Sequence, residues 1–309
     1  SVIRGVGMSL AKYEIFSTIV DAGSLTKAAE RLNLTQSGVS YAVTTLESEL
    51  GFSLIKRDRS GVTLTPNGER ILQCIRGILH QEKLLRQEAA AIKGVDIGTV
   101  SIGTLASVSM RWLPGILGEF QRLHPAVEVK TRMGGYDEMN EWISHRVVDF
   151  GFVALPASKQ FDAIPLKRDK LMVVIPPAHP LGKRRELTLK ELEDERLIMP
   201  LWGSDDNIRK VLAKSKVNFR IQYEVAEERT ILAMVQMGLG ISILPQLMLV
   251  HLPEGVQLVP LAHDEDYRTI GLAAISLKYL SPAARNFVNC TRAWLEEHHE
   301  LDFPSFSIK

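Results

Sequence analysis

Cysteine is scarce. Only Cys74 and Cys290 occur in 309 residues, far apart and without a metal-ligand partner motif. That excludes a disulfide framework and a cysteine-ligated zinc site, and points to a reducing, cytoplasmic setting. The eight histidines form no ligand spacing either, and His298-His299 near the C-terminal end reads as solvated. Long apolar runs are missing, so no membrane span is expected, and there is no signal-peptide pattern. The signatures of common catalytic sites are absent too: no G-x-S-x-G elbow, no Walker phosphate loop, no G-x-G-x-x-G after a strand. Glu227-Glu228 is a carboxylate pair, but its members are adjacent on the chain and read as solvated. Neither an enzyme nor a bound cofactor or metal is expected. An excess of one charge is also lacking: the net charge of +1 neither supports nor excludes nucleic acid, because many DNA binders carry a basic face on a neutral total. What is present is a hydrophobic content of 45%, enough for full cores, and a length suited to two or three domains. Residues 1–7, SVIRGVG ahead of Met8, read as a cloning remnant and are set aside.

The most informative stretch is SLTKAAERLNLTQSGVSYAVTTLESELG, Ser24 to Gly51. Ser24 is suited to cap a helix, its hydroxyl accepting a free backbone N–H. Leu25, Ala28, Ala29 and Leu32 then recur at helical spacing. Asn33-Leu34 breaks that helix, Thr35 caps the next, and Val39, Val43, Leu46 and Leu50 give it an inward face. Two short helices with a tight turn and small residues at the crossing describe a helix-turn-helix, about 24–44. The outward face of the second helix offers Gln36, Ser37, Ser40, Tyr41 and Thr44. Glutamine can pair with an adenine edge, and serine or threonine can reach bases or phosphates. The alternative is a solvated face on an ordinary helical hairpin. Ahead of it, Leu10 to Ala22 forms a helix whose Leu10, Tyr13, Ile15, Phe16, Ile19 and Val20 can pack the motif from behind, ended by Gly23.

Behind it, Phe52–Lys56 and Val62–Thr65 read as a small hairpin with Asp58–Gly61 at its tip, a wing. Arg57 and Arg59 flank the tip, placed for a phosphate and for the minor groove. From Pro66 to Lys93 a long helix is expected, about 40 Å at 1.5 Å per residue. Ile71, Ile75, Ile78, Glu82, Leu85, Ala89 and Ile92 alternate steps of four and three, a heptad seam for a partner helix from a second subunit. Glu82 interrupts the seam, as a polar residue that fixes register can do.

The segments GSLTKAAERL, TQSGVSYAVTTLE and ELGFSLIKRDRSGVTLTPNG together resemble the LysR-type transcriptional regulators. Farther on, HPAVEV, VDFGF, HPLG and MGLGISILP stand in the order the family shows, so the resemblance covers almost the whole chain. Tyr41 stands where many relatives carry arginine or another long polar residue, so the base it reads is not carried over. The resemblance implies an α+β multidomain protein: winged helix-turn-helix over 8–65, dimerising linker helix over 66–93, hinge over 94–98, effector-binding domain over 99–300 and a tail over 301–309. The DNA-contacting set is then Ser24, Lys27, Thr35, Gln36, Ser37, Ser40, Tyr41, Thr44, Arg57 and Arg59, and the dimerising set Ile71, Ile75, Ile78, Leu85 and Ile92. Expected partners are double-stranded promoter DNA, a small-molecule inducer and further copies of the chain as homodimer or dimer of dimers, with RNA polymerase a further contact and no membrane.

Beyond Gly98, β-rich runs alternate with helical ones: Val100–Gly103, Leu113–His124, Val127–Arg132, Tyr136–Arg146, Val148–Val153. This βαβαβ order implies a parallel sheet with helices on both faces. A second series follows between Leu171 and Leu244, then a strand at Tyr267–Ser276 and a helix at Pro282–Glu297. By resemblance these last two return to the first lobe, as in folds like the periplasmic binding proteins, giving lobe 1 over 99–163 and 266–300 and lobe 2 over 164–265. Open α/β sheets bind ligands beyond the carboxyl ends of their strands. That rule selects the loop Thr104–Met110, Gly134-Gly135, Leu201–Asp206 with Trp202 as an apolar wall, and the turn at Gly238–Gly240. The resemblance adds that hydroxyls of the first loop contact the inducer. The effector set is then Thr104, Ser107, Ser109, Gly135, Leu201, Trp202, Gly203 and Gly240. Helix N-termini and Arg111 favour an anionic inducer, whereas Asp205 and Asp206 oppose one, and Arg229 pairs with Glu227 or Glu228 or faces the ligand.

Overall fold

The structure is a computed structural model, which describes residues 9–58, 61–201, 205–262, 267–304 and 306–308, with the side chains of 205–207 left out. The chain forms two compact units that divide between Ile92 and Lys93.

In the first unit α1 (Leu10–Ala22), α2 (Leu25–Leu32) and α3 (Gln36–Leu50) pack around Phe16, Ile19, Val39, Val43 and Leu46, all fully buried. Each helix ends in a left-handed residue, Gly23, Asn33 or Gly51, whose N–H returns to the last turn. Leu10 does not join this core. It stands on the outer side of the first turn and is exposed.

The wing is β1 (Ile55–Asp58) paired with β2 (Gly61–Leu64). It begins later than the sequence pattern suggests, because the Glu47 carboxylate on α3 accepts the N–H groups of Leu54 and Ile55 at 2.7 and 3.2 Å. Those donors tie the wing to the helix, and the ladder starts at Ile55. Gly61 has a φ of +131°, and a Cβ there would stand 2.7 Å from the carbonyl oxygen of Gly23, so the turn admits only glycine.

The long helix α4 runs from Pro66 to Ile92. Its start is fixed by the Thr65 hydroxyl, which accepts from the Gly68 N–H at 2.9 Å. Arg76, buried on this helix, donates to Asp21 of α1 at 2.6 Å. The first part of the heptad seam is therefore used within the unit. Ile75 is 3% exposed in the core of the winged domain, and Ile71 is half-buried against it. Neither stands on a free face, which corrects their assignment to a dimer seam. Ile78, Leu85 and Ile92 are 43%, 70% and 85% exposed, and these keep the stripe. Glu82 is ion-paired to Arg86 in the same helix, so its charge is answered locally.

The second unit begins with β3 (Gly98–Thr104) and contains two lobes. In the first, β4 (Val127–Met133) and β5 (Phe150–Leu155) flank β3, all parallel. The expected parallel arrangement stops there. β11 (Tyr267–Ala274) adds antiparallel to β5, and β6 (Asp162–Ile175) antiparallel to β11. The first part of β6 pairs with β11. Its last residues pair with β9 (Ser242–Pro245) and β10 (Gln257–Pro260), so this one strand passes from lobe 1 into lobe 2. Helices α5 (Ala106–Arg111), α6 (Leu113–Leu123), α7 (Tyr136–Ser144) and α10 (Pro282–Glu297) cover lobe 1, where Trp112, Phe120, Phe150, Phe152 and Phe287 fill the core.

In lobe 2, β7 (Arg196–Pro200) pairs parallel with β8 (Arg220–Val225), beside α8 (Asp205–Lys214) and α9 (Glu228–Gln236). Alternate residues of β6 serve two cores: Leu171, Val173 and Ile175 on one face, Met172 and Val174 on the other. A strand buried on both sides reads as a continuous apolar run, and LMVVI does.

Candidate DNA-reading face and effector cleft

On the first unit, the structure separates residues that build the recognition helix from residues that present groups outward. Ser24 and Thr35 are caps: their hydroxyls accept from the N–H groups of Lys27 at 3.4 Å and Gly38 at 3.1 Å. The Thr44 hydroxyl donates back to the Ser40 carbonyl at 2.9 Å. Ser40 is engaged by the wing, its hydroxyl accepting from Arg57 Nη1 at 2.9 Å. Arg57 is thereby held beside the recognition helix. Gln36, Ser37 and Tyr41 are exposed, Tyr41 at 75%. Tyr41 stands one turn on from Ser37 along the exposed side of the capped helix, with Gln36 in its first turn. Lys27 on α2 contributes a further cation. Arg59 lies outside the described residues.

On the second unit, a cavity of about 420 Å³ opens between the lobes. Leu105, just before α5, and Ala106, Ser107 and Met110 on it line one side; Met133–Tyr136, from the end of β4 to the start of α7, and Ala226–Arg229 and Met248 of lobe 2 line the rest. Most of the lining is apolar, and the size suits a small molecule. Arg268 reaches it from β11 and organises its polar end. Arg268 is buried and donates through Nε to Asp169 Oδ2 at 2.8 Å, through Nη2 to Ser107 Oγ at 2.8 Å and through Nη1 to the Tyr136 hydroxyl at 3.3 Å. Asp169, on β6 directly opposite in register, also accepts from the Leu247 N–H at 2.8 Å. One guanidinium thus joins the paired strands β6 and β11 to two helices of lobe 1. Burial pushes the Asp169 carboxyl up from its ordinary value, and the Arg268 charge pulls it back down.

Of the residues selected from sequence, Ser107 and Gly135 line the cavity. Thr104 does not: it is buried, donates to the Leu105 carbonyl at 3.3 Å and accepts from Ser109 at 3.1 Å. Those two hydroxyls satisfy each other beneath α5, a helix where the sequence reading placed a loop. Gly240 is a packing position, since a Cβ there would meet the Arg196 carbonyl oxygen at 2.5 Å. Leu201 is exposed away from the cavity lining, and Trp202 and Gly203 lie outside the described residues. Arg111 is absent from the lining and pairs with Glu300 at 3.5 Å. Arg268, Asp169 and Tyr136 were missed. The available signal was the lone charge Arg268 in the strand YRTIGLAA; Asp169 stands among other charges in KRDK and gave none. Buried charges are kept only in pairs.

A winged helix-turn-helix joined to a two-lobed domain with an interlobe cleft defines a ligand-responsive, DNA-binding regulator. Comparison with known proteins places it further. Residues 10–69 match the bacterial regulatory helix-turn-helix protein model of the lysR family, and residues 93–296 match the LysR substrate binding domain model. The chain belongs to the LysR family of DNA-binding transcriptional regulators. It is 33% identical over 287 residues to the uncharacterised HTH-type transcriptional regulator YvbU of Bacillus subtilis, covering 92% of this chain and 98% of that one. It is 31% identical to the probable HTH-type transcriptional regulator LrrA of Synechococcus elongatus, covering 92% and 97%. Among solved structures, full-length OxyR from Pseudomonas aeruginosa superposes with a TM-score of 0.75 at 23% identity, covering 92% of this chain and 96% of that one. Full-length CbnR complexed with its target DNA has a TM-score of 0.56 at 21% identity, covering 93% and 99%. These two likenesses concern the fold.

Proposed function

We infer that this regulator binds a partly symmetric promoter site as a homodimer or dimer of dimers and changes its DNA-bound arrangement when a small molecule enters the interlobe cleft. The observation that carries the reading is the coexistence in one chain of an outward Gln36–Tyr41 face and a cleft closed at one end by Arg268. The exposed stripe of Ile78, Leu85 and Ile92 supports assembly through α4. Effector binding shifts an equilibrium between subunit arrangements only through contacts that differ between them. The chain acts by binding, without catalysis or a resident cofactor, in the cytoplasm, and reaches transcription through RNA polymerase at the promoter.

The test is selection of bound duplexes from random DNA by the purified full-length chain, followed by footprinting with and without compounds that bind it. Enrichment of paired half-sites, and a footprint that changes length with compound, is the expected result. Recovery of unrelated sequences with no common half-site would refute the reading.

A further inference from the structure

The charges around the cleft limit what can occupy it, given the reading of the cleft as the effector site. An anion would be attracted to helix N-termini. Both of the longer helices that begin at this cavity meet that field with their own carboxylates. In α7, Glu138 turns back and accepts from the Gly135 N–H at 2.9 Å, with Asp137 beside it. In α9, Glu227 stands at the N-cap position without a side-chain cap hydrogen bond, and Glu228 is the first helical residue, its charge in the first turn. The remaining positive charge is also spoken for. Arg268 is matched by Asp169 at 2.8 Å. Arg229 lies at the same wall as Glu227 and Glu228, and its charge acts on the Glu228 carboxyl. Among the described residues, two carboxylates (Glu227, Glu228) and two cations (Arg229, Arg268) line the cavity; Asp169 behind Arg268 and Glu138 at the α7 N-terminus add two more carboxylates around it. Glu228 is half-buried, and burial pushes its carboxyl up from the ordinary value with only Arg229 opposing.

The other end reads a different group. Ser107 Oγ accepts from Arg268, so its own O–H turns away from the guanidinium and is available to an acceptor in the cavity. Between the two ends, Met110, Met133 and Met248 form an apolar, adaptable wall suited to an aromatic ring. Gly135 adds room, since a Cβ there would meet nothing closer than Glu138 Oε2 at 3.9 Å.

We propose that the cleft selects a cationic, largely apolar effector, an amine whose ammonium sits against Glu227 and Glu228 while a neutral acceptor or ring edge meets Ser107, and that it discriminates against carboxylates. Three probes of nearly equal shape test this on the full-length protein by calorimetry: tryptamine, indoleacetamide and indoleacetate. Tryptamine binds about tenfold or more tightly than indoleacetate, with the amide between. In the Glu227→Gln, Glu228→Gln double variant that order collapses, tryptamine weakening and indoleacetate strengthening. Circular dichroism melting checks that the variant remains folded. Indoleacetate binding as tightly as tryptamine, an order unchanged in the double variant, or no binding of any probe at millimolar concentration overturns the proposal. Ala106→Trp, which fills the cleft, separates this from failure of the site itself: it abolishes binding of all three if the cleft is used. Tryptamine binding that survives Ala106→Trp places the ligand elsewhere and overturns the cleft reading.

Discussion

Replacing Arg268 by alanine isolates the energetics of the cleft's polar end. Arg268 is 4% exposed and Asp169 1%. Removing the cation leaves the Asp169 carboxylate in a dry site with the Leu247 N–H as its near donor and Lys167 acting from farther off. Breaking a buried pair from one side costs about 3–5 kcal/mol. Against a total of about 5–15 kcal/mol for a domain, that is a large share. The measurement is simple, because all four tryptophans, Trp112, Trp142, Trp202 and Trp294, lie in the second unit. Tryptophan fluorescence in urea therefore follows that unit alone. At about 1–3 kcal/mol per molar urea, the midpoint falls by about 1 M or more. The deficit depends on pH. Without Arg268 the Asp169 carboxyl rises still further above its unfolded value, so the folded state holds the proton more tightly than the unfolded chain. Stability is then fully present below the unfolded carboxylate value and lost as the pH rises through the folded-state value. The deficit should shrink on acidification. Arg268→Met with Asp169→Leu should recover most of the loss, because apolar replacement of a buried pair is close to neutral. A single variant that costs under about 1 kcal/mol, or a double variant no better than the single, would refute this account of the network.

Three further outcomes follow from the first unit. Gly68→Ala places a Cβ 2.0 Å from the Leu54 carbonyl oxygen, so the DNA-binding domain should lose about 1–3 kcal/mol or more while tryptophan-detected unfolding stays unchanged. Ile78→Asp should leave each unit folded yet weaken self-association in sedimentation, whereas Ile75→Asp should unfold the winged domain, since only Ile75 is in its core. Stable dimers of the Ile78 variant would remove the α4 seam. Gln36→Ala should cost about 1–3 kcal/mol on a selected site and little on random DNA, whereas Arg57→Ala should weaken both and lower the salt slope by about 1. Equal losses on both DNAs for Gln36→Ala would make it a backbone contact.

What acts within one turn of chain was legible in the amino-acid order. Caps at Ser24 and Thr35, left-handed endings at Gly23 and Gly51 and 3.6-residue periodicity set the three N-terminal helices to the residue, because each signal acts within one turn. The alternation of strands and helices beyond Gly98 was legible for the same reason. Whatever depends on which distant residue stands opposite was settled only by folding. Ile71 and Ile75 share a heptad pattern with Ile78 and Leu85, yet Ile75 is buried in the core of its own domain and Ile71 packs against that core. Periodicity cannot say who covers a face. Thr104 and Ser107 are equivalent hydroxyls on one short stretch, but the turn into α5 sends one beneath the helix and the other into the cleft. The ion pair at the cleft joins positions 99 residues apart, Asp169 and Arg268, brought into register only when β6 and β11 pair. A buried charge is tolerable only where its partner arrives, and that arrival is a property of the folded sheet.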